Sequence, residues 1–464
     1  MINPVDLSIS EAAARLRDGQ VTAVELAQAA LDRIARRDRH IHAFVAMNRD
    51  QVMQEAMRAD AALAQGRNFG LLHGIPIAVK DLIDVAGLPC TSGSAAQKGR
   101  MPHRDAEAVR LMRAAGAVIL GKLATYEFAM AGPDFALPDP PARNPWNAAR
   151  ITGGSSSGSA AAVAAGIVRA SLSTDSGGSI RSPASYCGVV GLKPTFGRVP
   201  RTGVYPLSPT LDHVGPIAAT VEEAALVLDA LTGQDEADAA SVGQSWRPAT
   251  GLIGRDLRNL RIGYARSWFS NDSQTEPALI TAMDAAVSQL SLLGARVEEI
   301  DPPSYFLFEA ASSVILHAEA LAVHRERLRT NCAFYGAPVL QSLAAGAAID
   351  PGDVEKARRA ARLLSQGLGI SMTGFDALIT TTTLTVAPPF SAFDGEKAAW
   401  TPMRTIPFNL TGNPALSVPI GFHAGLPYGM QIVGVAGAED VICRIGHAFE
   451  RATDHSVQHP AFAG

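Results

Sequence analysis

Near the start of the chain, apolar side chains recur three and four positions apart. The segment SEAAARLRDGQVTAVELAQAALDRIA, residues 10–35, contains two such series, and this is the spacing of side chains on one face of an α-helix. Ser10 and Thr22 stand where residues that cap a helix N-terminus are expected. The pattern predicts two short amphipathic helices.

Farther along, short apolar runs follow segments with helical spacing. GIPIAVKD, residues 74–81, predicts a strand that ends in a lysine, and RDAEAVRLMRAAGAVILGK, residues 104–122, predicts a helix, a glycine stop and a second strand. The same succession of helical spacing and short apolar runs recurs in residues 284–300 and 375–382. Alternation of this kind is typical of α/β proteins, so the sequence predicts an α/β body around one large sheet.

The clearest linker is the polar, irregular segment TGQDEADAASVGQSWRPATG, residues 232–251, after which residues 257–265 predict a new strand. Taking this segment as a surface excursion, we predict one domain over residues 1–464. Its parts are N-terminal helices in 1–65, a core in 66–230, a polar surface linker in 231–251 and the remaining α/β body in 252–464.

Composition narrows the class of protein. Hydrophobic residues make up 47% of the 464 residues and charged ones 18%, which is enough apolar material for a large core. A net charge of -4 gives no field that would attract nucleic acid. The N-terminus lacks the pattern of a signal peptide, and no apolar run approaches the length of a membrane span. We predict a cytoplasmic protein that binds neither nucleic acid nor membrane.

The cysteines show no metal-binding spacing and no adjacent histidine. We therefore predict buried thiols in a reducing compartment and no metal site. The four positions are Cys90, Cys187, Cys332 and Cys443.

Gly153 to Gly166, GGSSSGSAAAVAAG, places small and hydroxylated residues directly before an alanine-rich segment. A phosphate-binding loop would have a lysine after Gly158, but Ser159 stands there. GSSSG also matches the nucleophile elbow of α/β-hydrolases, with Ser156 as nucleophile. An elbow follows a buried strand, whereas residues 138–152 are rich in proline, which weakens that alternative.

A second cluster, STDSGGSIRSPASYCGVVGLKP at residues 173–194, favours a composite site. Ser179 follows two glycines, whose missing side chains allow backbone amides to approach a carbonyl oxygen. A serine nucleophile needs a base, and no histidine lies near either cluster in sequence. Lys80 at a strand end is a candidate, because a desolvated lysine can be neutral and accept a proton.

Together these motifs resemble the amidase signature family of serine amidohydrolases. The resemblance extends through residues 210–233 and 408–422 and covers about residues 10–452. It implies a large mixed, twisted β-sheet covered by α-helices on both sides. It also implies a triad without any cofactor, in which Ser179 is the nucleophile, Ser155 bridges after a cis bond from Gly154, and Lys80 is the base.

The resemblance also suggests supporting residues. The backbone amides of the oxyanion hole map to Ser176, Gly177, Gly178 and Ser179. Asp175 and Arg181 are expected to hold this loop, and Ser156 either donates near Lys80 or satisfies loop backbone. Candidate pocket residues, each with an alternative structural role, are Met130, Phe135, Tyr205, His213 and Arg404.

The predicted activity is hydrolysis of a small-molecule carboxamide through an acyl-Ser179 intermediate, with release of ammonia or an amine. Alternatives within the family are the glutaminase subunit of a tRNA-dependent amidotransferase and a biuret-type hydrolase. Such glutaminase subunits usually carry an acidic residue just before the T-I-P-x-N stretch, where this chain has Pro402 and Arg404. Outside the family, an α/β-hydrolase esterase and a non-catalytic scaffold subunit remain. Relatives are often dimers, so a homodimer is possible.

Overall fold

A sheet of eleven strands runs through the computed structural model, which describes residues 3–393, 398 and 400–462. The strand order is β1-β3-β2-β6-β8-β7-β12-β13-β11-β9-β10, and β4 and β5 form a separate pair. The strands are β1 (Phe44–Ala46), β2 (Pro76–Lys80), β3 (Val118–Leu123), β4 (Arg143–Asn144), β5 (Asn147–Ile151), β6 (Ala170–Asp175), β7 (Val190–Lys193), β8 (His213–Ala218), β9 (Arg261–Tyr264), β10 (Arg296–Glu299), β11 (Ala377–Thr381), β12 (Ala415–His423) and β13 (Leu426–Val433).

Helices flank this sheet. They are α1 (Ile9–Arg17), α2 (Ala23–Ile41), α3 (Arg49–Ala64), α4 (Glu107–Ala114), α5 (Ser157–Ala164), α6 (Arg181–Cys187), α7 (Val221–Leu231), α8 (Ser267–Ser270), α9 (Pro277–Leu292), α10 (Tyr305–Asn331), α11 (Ala337–Ala347), α12 (Pro351–Ser371), α13 (Pro407–Leu410) and α14 (Glu439–Arg451). The sheet is mixed, because β2 pairs in parallel with β3 and β6 while β6 pairs antiparallel with β8. The predicted α/β class with one large mixed sheet is confirmed.

The first two helices form where the apolar spacing predicts them, but one cap is different. Ser8, not Ser10, caps α1, since Ser8 Oγ accepts from the backbone of Glu11 at 3.2 Å. Ser10 Oγ instead donates to Glu222 on α7 at 2.9 Å. Thr22 caps α2 as predicted, and α2 has 19 residues, so it is not short.

Apolar side chains form two main cores. The larger one surrounds the sheet and includes the alanine-rich part of α5, whose residues are all buried. The second lies between α10, α11 and α12 and is built from residues such as Phe308, Leu343 and Leu364. The subdivision of the single domain into four parts stays a prediction.

The structure differs from two predictions made from the sequence, one about the cysteines and one about apolar runs. Cys90, Cys187 and Cys443 are buried, but Cys332 is exposed, because it follows the end of α10, so the prediction of four buried thiols is wrong there. Among the described residues, one helical stretch, Tyr305–Phe334, is long and apolar enough to cross a bilayer by length and composition. Of its most apolar window 33% is buried inside the protein, where α10 contributes Phe308, Ile315 and Leu316 to the second core.

Candidate active site

The parallel pairing of β2 and β6 brings the two halves of the predicted site together. Lys80 is the last residue of β2, and Asp175 is the last residue of β6. Because parallel strands end at the same edge of a sheet, the residues that follow β6 lie beside Lys80. We call Ser176–Ser179, between β6 and α6, the catalytic loop.

Lys80 is fully buried and its amine lies against Ser155, the predicted bridging serine. Its Nζ donates to Ser155 Oγ at 2.7 Å and to Thr174 Oγ1 at 2.8 Å. The peptide bond from Gly154 to Ser155 is cis. Ser155 and Ser179 both line one cavity, which we call the catalytic cavity, and Lys80 contacts it through its hydrogen bond to Ser155.

Burial dominates the electrostatics of Lys80. It lowers the pKa of the amine to about 7, and the charges of Asp175 and Asp212 oppose this shift. Desolvation disfavours the charged ammonium, so near neutral pH a substantial fraction of Lys80 is unprotonated. A neutral amine 2.7 Å from Ser155 Oγ can accept a proton from that hydroxyl.

Three contacts fix the catalytic loop. Ser176 Oγ donates to Asp212 at 2.5 Å, and Thr405 Oγ1 donates to Gly177 O at 2.6 Å. The amide of Gly178 donates to Asp175 at 2.8 Å. The Gly178 amide therefore supports the loop itself, and the predicted oxyanion role remains with the amides of Ser176, Gly177 and Ser179.

Asp175 and Arg181 form a buried ion pair at 2.9 Å beneath this loop. Burial acts to raise the pKa of Asp175, but the Arg181 guanidinium outweighs it and holds that pKa well below its usual range. Arg181 also donates to Thr405 O, Gln431 and Asn409. These contacts place both residues in support of the loop and leave neither open to the catalytic cavity.

Ser156 satisfies backbone and does not contact Lys80. Its buried hydroxyl donates to Thr174 O at 3.1 Å. The strand before it, β5, belongs to the separate two-stranded pair and is largely exposed. A nucleophile elbow requires a buried strand and an accessible serine, so this geometry argues against the esterase alternative.

The predicted pocket residues divide among different surroundings. Met130 is buried and lines the catalytic cavity. Phe135 is 52% exposed and its ring packs 5.2 Å from that of Phe390, which leaves it outside the residues that line the catalytic cavity. Tyr205 and His213 line a second cavity, which we call the rear cavity.

Arg404 has surroundings that the sequence did not reveal. It is buried. Its guanidinium donates to Trp268 O and pairs with Asp272, and it lies 4.2 Å from the centre of the Tyr305 ring. Arg404 lines a third cavity that shares Gly177 with the catalytic cavity, but its charge is already neutralised by Asp272.

Comparisons with known proteins agree with this geometry. The model of the Amidase family matches residues 25–443. The chain belongs to the Amidase family. The A subunit of glutamyl-tRNA(Gln) amidotransferase from Roseiflexus sp. (strain RS-1) is 37% identical over 479 aligned residues, which cover 98% of each chain.

Solved structures of other amidases have the same fold. Native peptide amidase from Stenotrophomonas maltophilia shows a TM-score of 0.88 at 32% identity, with 99% of both chains covered. A protein from a vestigial complex that reveals the evolutionary origins of an s-triazine catabolic enzyme shows a TM-score of 0.89 at 32% identity, covering 96% of this chain and 98% of its own. The amidase signature resemblance and its fold are thereby confirmed.

Within this amidase, sequence reasoning missed three contacts of the site. Thr174 is the second partner of Lys80, and Thr405 holds Gly177 from a segment far along the chain. Asp212 binds Ser176. Thr174 directly precedes Asp175 within the quoted STDSGGS motif, and Asp212 lies in TLDHVGP, so both were visible as motif residues without a role.

Gly154→Ala is expected to destabilise the amidase by about 1–3 kcal/mol, the usual cost of overpacking. A Cβ at this position would overlap the Tyr126 ring, which lines the catalytic cavity. Gly177→Ala is the matched control, since its nearest contact would be Ile406 Cδ1 at 3.4 Å. Chemical unfolding of both variants checks the prediction, and equal stability would contradict it.

Proposed function

We propose that this chain hydrolyses the C–N bond of a small-molecule carboxamide through an acyl-Ser179 ester. The observation that carries the proposal is the 2.7 Å hydrogen bond from buried Lys80 to Ser155, at a cavity that Ser179 also lines. Burying a charged lysine costs free energy, so full burial favours the neutral amine. Titratable groups perturbed in this way cluster at functional sites. The roles assigned to the three residues are part of this proposal.

In the first step, Ser179 Oγ attacks the amide carbon and a C–O bond forms. The Ser179 proton passes to Ser155 across the shared cavity, and the Ser155 proton passes to neutral Lys80. The carbonyl π electrons move to oxygen, where amides of the catalytic loop stabilise the charge. Donors of this kind are each worth about 3–4 kcal/mol in the transition state.

Collapse of the tetrahedral intermediate then breaks the C–N bond. The leaving nitrogen receives a proton from Ser155, and Lys80 returns its proton to Ser155, so the relay ends as it began. Water attacks the acyl-Ser179 ester in the second stage and releases a carboxylic acid. The sum is amide plus water to acid plus ammonia or amine, and the residues of the chain are unchanged.

The glutaminase subunit of a tRNA-dependent amidotransferase is the second candidate. The full-length similarity to the Roseiflexus amidotransferase protein favours it. Pro402 and Arg404 occupy the place where an acidic residue is usual in those subunits, and Arg404 is paired with Asp272. In this candidate the substrate is glutamine, and a partner subunit receives the ammonia.

A biuret-type substrate is a further variant of the same chemistry. A homodimer and a cytoplasmic location complete the proposal. A non-catalytic scaffold would have no requirement for Lys80, Ser155 and Ser179 together, so the assembled site speaks against it.

Release of ammonia or amine from a panel of amides tests the function. The panel contains glutamine, aryl amides, malonamate and biuret-like compounds, each with wild type and Ser179→Ala. Turnover of one class that is lost in Ser179→Ala supports the proposal and identifies the substrate class. A preference for glutamine would favour the second candidate, and equal turnover by Ser179→Ala would contradict the acyl-serine mechanism.

A further inference from the structure

Asp212 lies against the catalytic loop and has no part in the mechanism above. Its carboxylate accepts from Ser176 Oγ at 2.5 Å, from Leu207 N at 2.9 Å and from Ser208 N at 3.1 Å. Leu207 and Ser208 belong to the turn that precedes Asp212 in sequence. Ser176 is therefore the contact that joins this carboxylate to the catalytic loop, and hydrogen bonds to carboxylates are about twice as strong as neutral ones.

The position of Ser176 gives this contact its importance. Ser176 is the first residue after β6, and its amide is one of the three that remain for an oxyanion. Thr405 and Asp175 hold Gly177 and Gly178, the second and third residues of the loop. Asp212 holds Ser176, the first residue of the loop.

Asp212 also lies on the side of the loop that faces the base. Thr174, which accepts from Lys80 Nζ at 2.8 Å, lines the rear cavity together with Ser176 and Asp212. The negative charge of Asp212 favours the protonated form of Lys80, against the effect of burial. Burial raises the pKa of Asp212 itself to about 6, so near neutral pH its carboxylate is mostly ionised.

Most other charged groups around Asp212 and Lys80 are paired with a group of opposite charge. Asp175 is paired with Arg181, and Arg201, which donates to Asp212 O, is paired with Asp238. No ion pair to Asp212 occurs in residues 3–393, 398 and 400–462. The remaining titratable neighbours are Lys193 and His213, which interact with Asp175, and Glu319, which accepts from Ser208.

We propose that Asp212 is a positioning residue of the amidase site, which fixes the catalytic loop through Ser176 and contributes a negative charge near Lys80. The inference rests on the proposed function and adds a second carboxylate to it. Asp212 acts on rate through loop geometry, and on pH dependence through the base.

The test is the rate at which a fluorophosphonate probe labels Ser179 as a function of pH. Labelling forms an Oγ–P bond, releases fluoride and transfers the Ser179 proton along the relay, so it needs no knowledge of the substrate. In wild type the rate is expected to rise with pH around a midpoint near the Lys80 pKa of about 7. Ser179→Ala gives the background.

In Asp212→Asn the midpoint is expected to fall by about one pH unit, because a charge that favours protonated Lys80 is lost. The plateau rate is expected to fall about tenfold, because the loop is held less firmly. Ser176→Ala removes the contact but keeps the carboxylate, so its plateau should fall while its midpoint stays. Glu326→Gln, which changes an exposed carboxylate on α10, should change neither.

If Asp212→Asn leaves both the midpoint and the plateau of the labelling rate unchanged, the inference is overturned. The proposed function still stands in that case, provided that Ser179 is labelled. Wild type without any labelling at Ser179 would contradict the proposed function and this inference together. If Asp212→Asn does not fold, Asp212→Glu decides, because it keeps the charge and displaces the carboxylate. A lowered plateau with an unmoved midpoint supports the inference, and a wild-type rate overturns it.

Discussion

Lys80→Met is expected to reduce amide turnover about a thousandfold, within the range that a positioned general base contributes. Methionine fills a similar volume, but it cannot accept the proton of Ser155, which lies 2.7 Å from Lys80 Nζ. Without that transfer, Ser179 attacks as an unassisted hydroxyl. Steady-state kinetics with the best amide of the panel measures the loss, and activity within tenfold of wild type would exclude Lys80 as the base.

Stability separates this loss from misfolding. The pKa of Lys80 falls from its ordinary 10.5 to about 7 on burial, so the unfolded chain binds a proton that the native chain lacks between those pH values. The contribution of Lys80 to the free energy of unfolding is therefore lowest below pH 7 and increases as the pH rises toward 10.5. Lys80→Met should be more stable than wild type at neutral pH, and the difference should disappear at high pH.

The two adjacent serines supply a matched pair for the same assay. Ser155→Ala removes the hydroxyl that Lys80 contacts, whereas Ser156→Ala removes one that bonds to Thr174 O. Turnover should collapse in the first variant and fall only modestly in the second. A full-rate Ser155→Ala would exclude Ser155 as the bridging residue.

Arg181→Met is expected to destabilise the protein by about 3–5 kcal/mol, the usual effect of removing one partner of a buried ion pair. The guanidinium makes five hydrogen bonds, two of them to Asp175. Its loss leaves the Asp175 carboxylate buried without its cation. Urea unfolding monitored by circular dichroism gives the free energy of unfolding for comparison with wild type.

An exposed ion pair is the control for that measurement. Arg329 and Glu326 form a pair one helical turn apart on α10, with both side chains largely in solvent. Arg329→Met should change the free energy of unfolding by less than about 1 kcal/mol. If Arg181→Met were equally mild, the Asp175–Arg181 pair would not hold the catalytic loop.

Sequence alone predicted the elements whose signals are local. The apolar run before Lys80 sets a buried strand, and the glycines before Ser179 permit a tight loop, so both motifs carry their own structural information. The α/β class follows from the alternation of helix and strand. The cap of α1 was misplaced by two residues, because Ser8 and Ser10 look alike in sequence and only the contact of Ser10 with Glu222 separates them.

Features that depend on distant partners could not be predicted in this way. Nothing near Arg404 indicates that Asp272 neutralises it, since the two residues are 132 positions apart. Phe135 lies in a segment that borders the site, yet its ring turns to Phe390 and stays exposed. Each outcome is decided by the packing of segments far apart in sequence, which has no local pattern.

The contacts of Arg181 have a consequence for biosynthesis. All three proposed catalytic residues lie in the first 179 residues, but Thr405, Asn409 and Gln431, which bind Arg181, come from near the C-terminus. The ribosome therefore synthesises Lys80, Ser155 and Ser179 long before it synthesises the C-terminal segment whose residues contact Arg181. Because these residues brace the loop through Arg181, we expect the loop to reach its final geometry only after they have been synthesised and packed against it.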